Sequence, residues 1–424
     1  MNVLLIGSGG REHSLALSIS KSPNLQKLIC IPGNPGISET CESIQVSISD
    51  FDSINEIVVS NSIDLIIVGP EQPLAEGIQD YFTEKGILVF GPSQKAAQIE
   101  SSKAFAKDLM KKYGIPTAAY EICNSFSESL VTLKKFNEQV VVKVSGLAGG
   151  KGAIVCQSHT EARQALKDIF TEKSYGEAGS SVVLEEFMEG EEVSLFAFCD
   201  GKDYVLLSSA QDHKRIYEGD KGANTGGMGA YSPAPIATKE LIEEAKNKII
   251  SPTLEALNKE GIPYIGVLYA GLMVTNEGAK VVEFNCRLGD PETQVVLPLV
   301  KSDTLELMFQ CAKGDVSNYK LELSDKFAST VVLASKGYPF SYSKGKEIKL
   351  HPNFENSDSQ ILFHAGTKLE NGKLLTNGGR VLACTGIGNS VKESLDLAYD
   401  LVEKVEFAGK TFRKDIGWRA LAKS

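Results

Sequence analysis

Along the first hundred positions, apolar residues come in short runs separated by stretches of helical period. Runs at 3–6, 28–31, 65–68 and 87–90 have the length and β-branched content of strands buried on both faces, and the stretches from about residue 11 and at 74–85 read as helices. Strand and helix in alternation predict a parallel sheet covered on both faces, with ligands at the carboxyl ends of its strands. From about residue 102 the pattern shifts to strand-and-helix segments with antiparallel hairpins. The last hundred residues carry strands near 329–334 and 380–386 and a helix near 391–405. The expected fold is α/β and α+β multidomain: an N-terminal parallel α/β domain at 1–101, a core at 102–326 with a lid at about 118–188, and a small mixed α/β domain at 327–424. A chain of 424 residues is too long for one core.

Three places in this pattern carry chemistry. The apolar strand Val281-Val282-Glu283-Phe284-Asn285-Cys286-Arg287 ends in alternating polar groups where a turn begins. Alternation puts Glu283, Asn285 and Arg287 on one face, where a carboxylate and an amide oxygen suit magnesium and the guanidinium can hold an anion beside it. Some 140 residues earlier, Val140-Val141-Val142-Lys143-Val144 runs into a loop with four glycines in the seven residues 146–152 and then a second strand. Backbone this free of side chains can lie against a triphosphate, with Gly149 and Gly150 at its tip and Lys143 and Lys151 supplying charge. It is not a Walker loop, because no hydroxyl follows the lysine and no helix opens there. Between the two motifs, the strand 182–184 leads to Glu185, Glu186 and, after a turn, Glu192, placed to accept hydrogen bonds from ribose hydroxyls.

Gly7-Ser8-Gly9-Gly10-Arg11 begins like a dinucleotide fingerprint, but Glu12 stands where the third glycine belongs and the second strand ends with no acidic residue. A monophosphate site is the better reading, with the amides of Gly9 and Gly10 at a helix start and Arg11 nearby. His13, one turn in, reads as a packed or solvated histidine. Residues 211–235 are glycine-rich with little periodicity, a long loop that is functional or disordered. Within it, Asp212 serves either to hold a substrate ammonium or to stabilise a turn. The small-residue turns around Gly366-Thr367 and Asn377-Gly378-Gly379-Arg380 fit a sugar phosphate and fit tight turns equally well.

Composition excludes several classes. Apolar content of 42% and charged content of 23% are ordinary for a soluble enzyme, and no apolar run reaches the roughly 20 residues of a membrane helix. The start at residues 2–6 reads as a strand and not as a signal peptide, so a cytoplasmic location is expected, with no membrane partner. A net charge of −10 argues against nucleic acid. The eight cysteines form no C-x-x-C and read as reduced structural thiols.

Lys103, Lys143 with its glycine loop, Glu185-Glu186-Phe187, Glu192 and Glu283-x-Asn285 follow one another in an order that resembles the ATP-grasp superfamily. Gly7 to His13, Gln211 to Arg215, Asn224 to Tyr231, Glu283 to Glu292 and Lys414 to Arg419 narrow the resemblance to the phosphoribosylamine–glycine ligase family, over essentially the whole chain. The resemblance implies an ATP-grasp core of two subdomains closing on ATP and the joining of glycine to 5-phosphoribosylamine through glycyl phosphate, in purine biosynthesis. ATP would be held by Lys103, Lys143, Gly149, Gly150, Glu185, Glu186 and Glu192, and magnesium or manganese by Glu283 and Asn285. The other substrates would meet Gly9, Gly10, Arg11, Asp212, Lys214, Arg287, Asp290, Gly366, Thr367 and Arg380, with Lys143, Arg287 and Asp212 catalytic. A monomer is expected. The strand 267–274 lacks the metal carboxylate found in many ATP-grasp enzymes. Rival readings are another ATP-grasp carboxylate–amine ligase, a non-catalytic ATP sensor, and a dehydrogenase, which the broken fingerprint disfavours.

Overall fold

A computed structural model describes residues 1–352 and 354–422. The N-terminal strands Asn2–Gly7, Lys27–Pro32, Glu42–Ser43, Leu65–Val68 and Leu88–Phe90 form one parallel sheet in which the first strand lies between the second and the fourth. Their side chains are apolar on both faces because helices pack on both. One departure from the sequence pattern is the expected helix at 74–85, which is two helices, Glu71–Ala75 and Ile78–Thr83. Gly77 between them takes φ +92°, a left-handed turn that no helix can contain.

The lid is a four-stranded sheet of Tyr120–Cys123, Val182–Glu186, Val140–Val144 and Ala153–Cys156, in that spatial order. Its helix His159–Phe170 begins where Ser158 accepts the Glu161 amide, and it buries Ala162, Leu166 and Ile169 against the sheet. With Val142, Val182 and Leu184 these side chains form a core of the lid's own. Elsewhere one apolar cluster runs from Leu4 and Ile66 of the first sheet through Leu195 and Leu272 to Val331 and Leu382. The lid is therefore a separately packed unit on a continuous body. The central antiparallel sheet pairs Glu191–Asp200 with Ile265–Thr275, and that strand with Gly278–Asn285.

The segment 211–235 is not the irregular loop its sequence suggests. It forms the strands Gln211–Asp212, Arg215–Tyr217, Lys221–Asn224 and Gly229–Ser232. The first and last of these join the C-terminal sheet, where Gly229–Ser232 pairs with Phe327–Ser335. Strands this short leave no local periodicity to read, and Gly229–Ser232 is fixed by a partner a hundred residues away. The middle pair is a hairpin clamped from the C-terminus. Arg413, with 1% of its side chain exposed, pairs with Asp220 at 2.9 Å and with Asp415 at 2.7 Å, and Arg419 also reaches Asp220. The C-terminal sheet continues through Arg380–Gly388 and Gln360–His364 and is backed by the helix Val391–Glu403. His13 is packed, as its position suggested. It is buried, and its Nδ1 accepts the His364 amide at 2.8 Å, fastening the first helix to the C-terminal sheet.

Candidate active site

Between the lid and the ends of the central strands lies a cavity of about 420 Å³. Pairing of Gly271 with Glu283 and of Leu272 with Val281 leaves Val282 as a bulge, which aims Glu283 into the cavity. Burial works against the charge of Glu283, yet Lys214, Lys143, Lys103 and Arg287 together hold its carboxyl below the usual carboxylate range. Asn285, oriented by its hydrogen bonds, donates from Nδ2 to Glu100 Oε1 (3.0 Å) and to Phe284 O (3.2 Å), turning its Oδ1 the other way. One ionised carboxylate and one amide oxygen beside several cations suit a magnesium ion that takes its remaining ligands from phosphates. Among the described residues no cluster of three or more His, Cys, Asp or Glu could hold a metal by protein groups alone.

Lys143 is buried on the lid strand, and its Nζ is shared between Glu185 Oε2 (2.9 Å) and Val282 O (2.8 Å). Lys107 reaches the same Glu185 oxygen at 3.0 Å, with its own pKa drawn down to about 8 by burial. One oxygen of the Glu185 carboxylate, Oε2, is thus shared by two lysines. The other oxygen, Oε1, is buried without a partner. Glu186 accepts the Ala119 amide at 3.0 Å. Lys103 lines the cavity with its pKa lowered, by burial first and then by Lys143.

Asp212 sits on a strand, which removes the turn-stabilising alternative. Burial raises its carboxyl to about 7, with Glu292, Glu192 and Glu283 adding to the rise and Lys214 opposing it. Lys214 is itself held by Glu192 at 2.5 Å and stands 4.0 Å from Glu283. Arg287 also comes to the cavity already paired, with Glu100 at 2.7 Å and Glu71 at 3.2 Å. Burial opposes ionisation of Glu71, but Arg287 and Arg11 bring its pKa down to about 2.

Arg11, Asp290 and Arg380 also line the cavity, the two guanidinium groups lying near the Asp290 carboxylate. Arg11 donates to Leu288 O at 2.9 Å, and Arg380 donates to Gly226 O and Asp290 O, each at 2.6 Å. Gly9, Gly10, Gly366 and Thr367 are not among the lining residues. The amide of Gly9 is taken by the Glu12 carboxylate at 2.5 Å, so it does not offer a free phosphate donor. Gly10 has no side chain because Gln294 lies where a Cβ would go, and Gly366 because Gly378 does. Thr367 Oγ1 is bonded to His364 Nδ1 at 3.1 Å.

Sequence reading missed Lys107, Glu71, Glu100 and Glu292, all of which line the cavity. Lys107 was within reach, one helical turn after Lys103 on the same face. Glu71 directly follows a parallel strand's carboxyl end, where ligands are expected. Glu100 and Glu292 left no local signal.

Family models for phosphoribosylglycinamide synthetase match in three parts: the N domain at residues 1–100, the ATP-grasp (A) domain at 101–293 and the C domain at 328–419. A phosphoribosylamine–glycine ligase of Caldanaerobacter subterraneus subsp. tengcongensis is 45% identical over 416 residues, covering 98% of this chain and 99% of that protein. The crystal structure of a phosphoribosylamine–glycine ligase from Thermotoga maritima superposes with a TM-score of 0.83 at 36% identity, over 98% of this chain and all of the other. A biotin carboxylase domain of the 2-oxoglutarate carboxylase of Hydrogenobacter thermophilus, solved with ADP, its magnesium salt and bicarbonate, reaches a TM-score of 0.75 over 97% of this chain and 91% of its own. At 17% identity that likeness is one of fold.

Proposed function

The chain belongs to the phosphoribosylglycinamide synthetase family, and on that premise we propose that it uses ATP to join glycine to 5-phosphoribosylamine, giving glycinamide ribonucleotide, ADP and phosphate. The observation that carries this reading is that a single cavity has two chemically different parts. Under the glycine-rich lid stand Lys103, Lys143, Glu283 and Asn285, Arg287 sits next to Asn285 on the shared Glu100 carboxylate, and Arg11 and Arg380 lie beside Asp290. The first part suits a nucleoside triphosphate with its metal and the last a smaller phosphorylated sugar.

A carboxylate oxygen is a poor leaving group, so the acid must be activated before an amine can displace it. In the proposed sequence, a glycine carboxylate oxygen attacks the γ-phosphorus and ADP departs with the electron pair of the broken P–O bond. The phosphoribosylamine nitrogen then attacks the carbonyl carbon of glycyl phosphate, the C–O bond breaks, and inorganic phosphate leaves as the nitrogen gives up a proton. Magnesium held by Glu283 and Asn285 Oδ1 would neutralise charge on the phosphates. The protein's share is positioning and electrostatics. Lys143 and Lys103 bring positive charge to the nucleotide part, while Glu185 fixes where the Lys143 ammonium points. Asp212, buried among acids, suits the glycine ammonium, whose charge would draw the proton off its carboxyl. Lid closure excludes water from the acyl phosphate.

The test is ADP release by the purified protein. Release that needs both glycine and phosphoribosylamine, with ligated product formed, is expected. Full ADP release with a different carboxylic acid in place of glycine would reassign the substrate, and ATP binding without any turnover would leave only a nucleotide sensor.

A further inference from the structure

We propose that Lys151 and Tyr338 are positioning residues that latch the glycine-rich lid onto the turn at 338–339 of the C-terminal domain, an inference that rests on the ligase reading above. The sequence assigned the Lys151 charge to phosphate. In the structure Lys151 is not among the residues that line the cavity, and its Nζ donates to Pro339 O at 2.9 Å, across 188 positions of sequence. Its own carbonyl accepts the Tyr175 hydroxyl at 3.1 Å, so the lid fixes the root of this side chain. Beside it, the Tyr338 hydroxyl accepts the Gly226 amide at 3.0 Å. The Tyr338 ring fills the space over Gly379, where a Cβ would lie 2.2 Å from it.

Three layers meet here. A Cβ on Gly150 at the lid tip would come within 3.8 Å of Thr225 O and 3.9 Å of the Gly226 Cα, so the tip rests on that turn. The turn in its place is held by Tyr338 from one side and by Arg380, through Gly226 O at 2.6 Å, from the other. The lid has its own core, and the Lys151 bond to Pro339 O is a polar contact that ties its glycine loop to the C-terminal domain. Arg380 belongs to the amine part of the cavity. The chain of contacts from Arg380 through Gly226 to Gly150 therefore lets closure over the nucleotide sense the wall that receives the second substrate.

The consequence is chemical. With the latch broken, water attacks the carbonyl carbon of glycyl phosphate, the C–O bond breaks, and glycine and inorganic phosphate return with ATP spent. The experiment measures ADP released per glycinamide ribonucleotide formed for the wild type, Lys151→Met, Lys151→Arg and Tyr338→Phe. It also measures hydrogen exchange of the loop 146–152 with a non-hydrolysable ATP analogue. Release should be close to stoichiometric in the wild type and several-fold in excess for Lys151→Met and Tyr338→Phe, with little change in the KM for ATP. Lys151→Arg, which can still donate to the carbonyl, should restore coupling. Loop protection by the analogue should be strong in the wild type and weak in the two uncoupled variants. A raised KM for ATP with stoichiometric release in Lys151→Met would make Lys151 a phosphate ligand and overturn the latch, as would equal loop protection in all four proteins. If the wild type releases no ADP in response to glycine and phosphoribosylamine together, the ligase reading fails, while the exchange measurement still decides the latch by itself.

Discussion

Lys143 Nζ lies 2.9 Å from Glu185 Oε2, with Lys107 on the same oxygen at 3.0 Å. A single buried carboxylate thus anchors two buried ammonium groups. Glu185→Gln keeps the shape and removes the anion, leaving two like charges together out of water. Removing one partner of a buried charge set costs about 3–5 kcal/mol, which urea unfolding should register, and ATP use should fall as Lys143 loses its aim. Lys107→Met leaves one lysine paired with the carboxylate and should cost less. Equal stability of Glu185→Gln and the wild type would show that this carboxylate does not hold the lysines.

Glu283→Gln should fold normally and lose turnover by at least about a hundredfold, the scale on which single preorganised electrostatic groups act. Its carboxylate lines the cavity at a strand end beside Asn285, which is where the proposed metal would be held. The check is ADP release beside an unchanged circular dichroism spectrum. Wild-type turnover would move the metal elsewhere.

Arg11→Ala should weaken use of phosphoribosylamine and spare ATP. A charge-assisted contact to phosphate is worth roughly 1.5–3 kcal/mol, about a ten- to hundredfold rise in KM. Arg11 contacts the body at Glu12 and Leu288, so some loss of stability should accompany the kinetic effect. A KM change confined to ATP would make the N-terminal turn part of the nucleotide site.

Asp212 carries a penalty that should be visible in stability. Its carboxyl, at 3.8 when unfolded, is raised to about 7 in the fold, chiefly by burial. Between those values the native state binds a proton that the unfolded chain does not, so this group makes stability fall as pH rises from about 4 to 7. Asp212→Asn should remove that loss. Its melting temperature relative to the wild type should climb from pH 5 to pH 8 while ligation falls. A pH-independent difference would contradict the assignment.

Three buried histidines act with the opposite sign. Burial lowers His13 and His213 to about 3, aided by His364 and by Arg413 and Arg419 respectively, and His364 to about 4. Below pH 6.5 the unfolded chain takes up protons that the native state refuses, so stability is full above 6.5 and drains away toward pH 3–4. His13→Asn places an amide oxygen where Nδ1 accepts the His364 amide and removes one titrating ring. Its stability should depend on acid more weakly than the wild type's, as chemical denaturation across this range would show.

Much of the fold was legible because its strands are long and buried. The runs at 65–68, 140–144 and 267–274 are dictated mainly by apolar residues, and the glycine loop announces itself by composition. The metal pair Glu283 and Asn285 was legible because strand alternation is a local rule. What escaped the sequence is what depends on distant partners. That Arg287 is neutralised by Glu100 and Glu71 depends on helices 187 and 216 residues away. The short strand Gly229–Ser232 is defined by residues 328–331. At Gly9 the resemblance to a phosphate turn was real in sequence, but Glu12 folds back onto the amide first.

The pairing of Gly229–Ser232 with Phe327–Ser335 bears on how this protein can be taken apart. A gene cut after residue 326 would follow the apparent boundary in the sequence, yet it would strip a strand of the neighbour that satisfies its backbone. The exposed N–H and C=O groups opposite Ser329 and Val331 would then recruit other chains, since an open strand edge is a template for aggregation. Soluble halves call for making both fragments together, so that each finds the other before it finds itself.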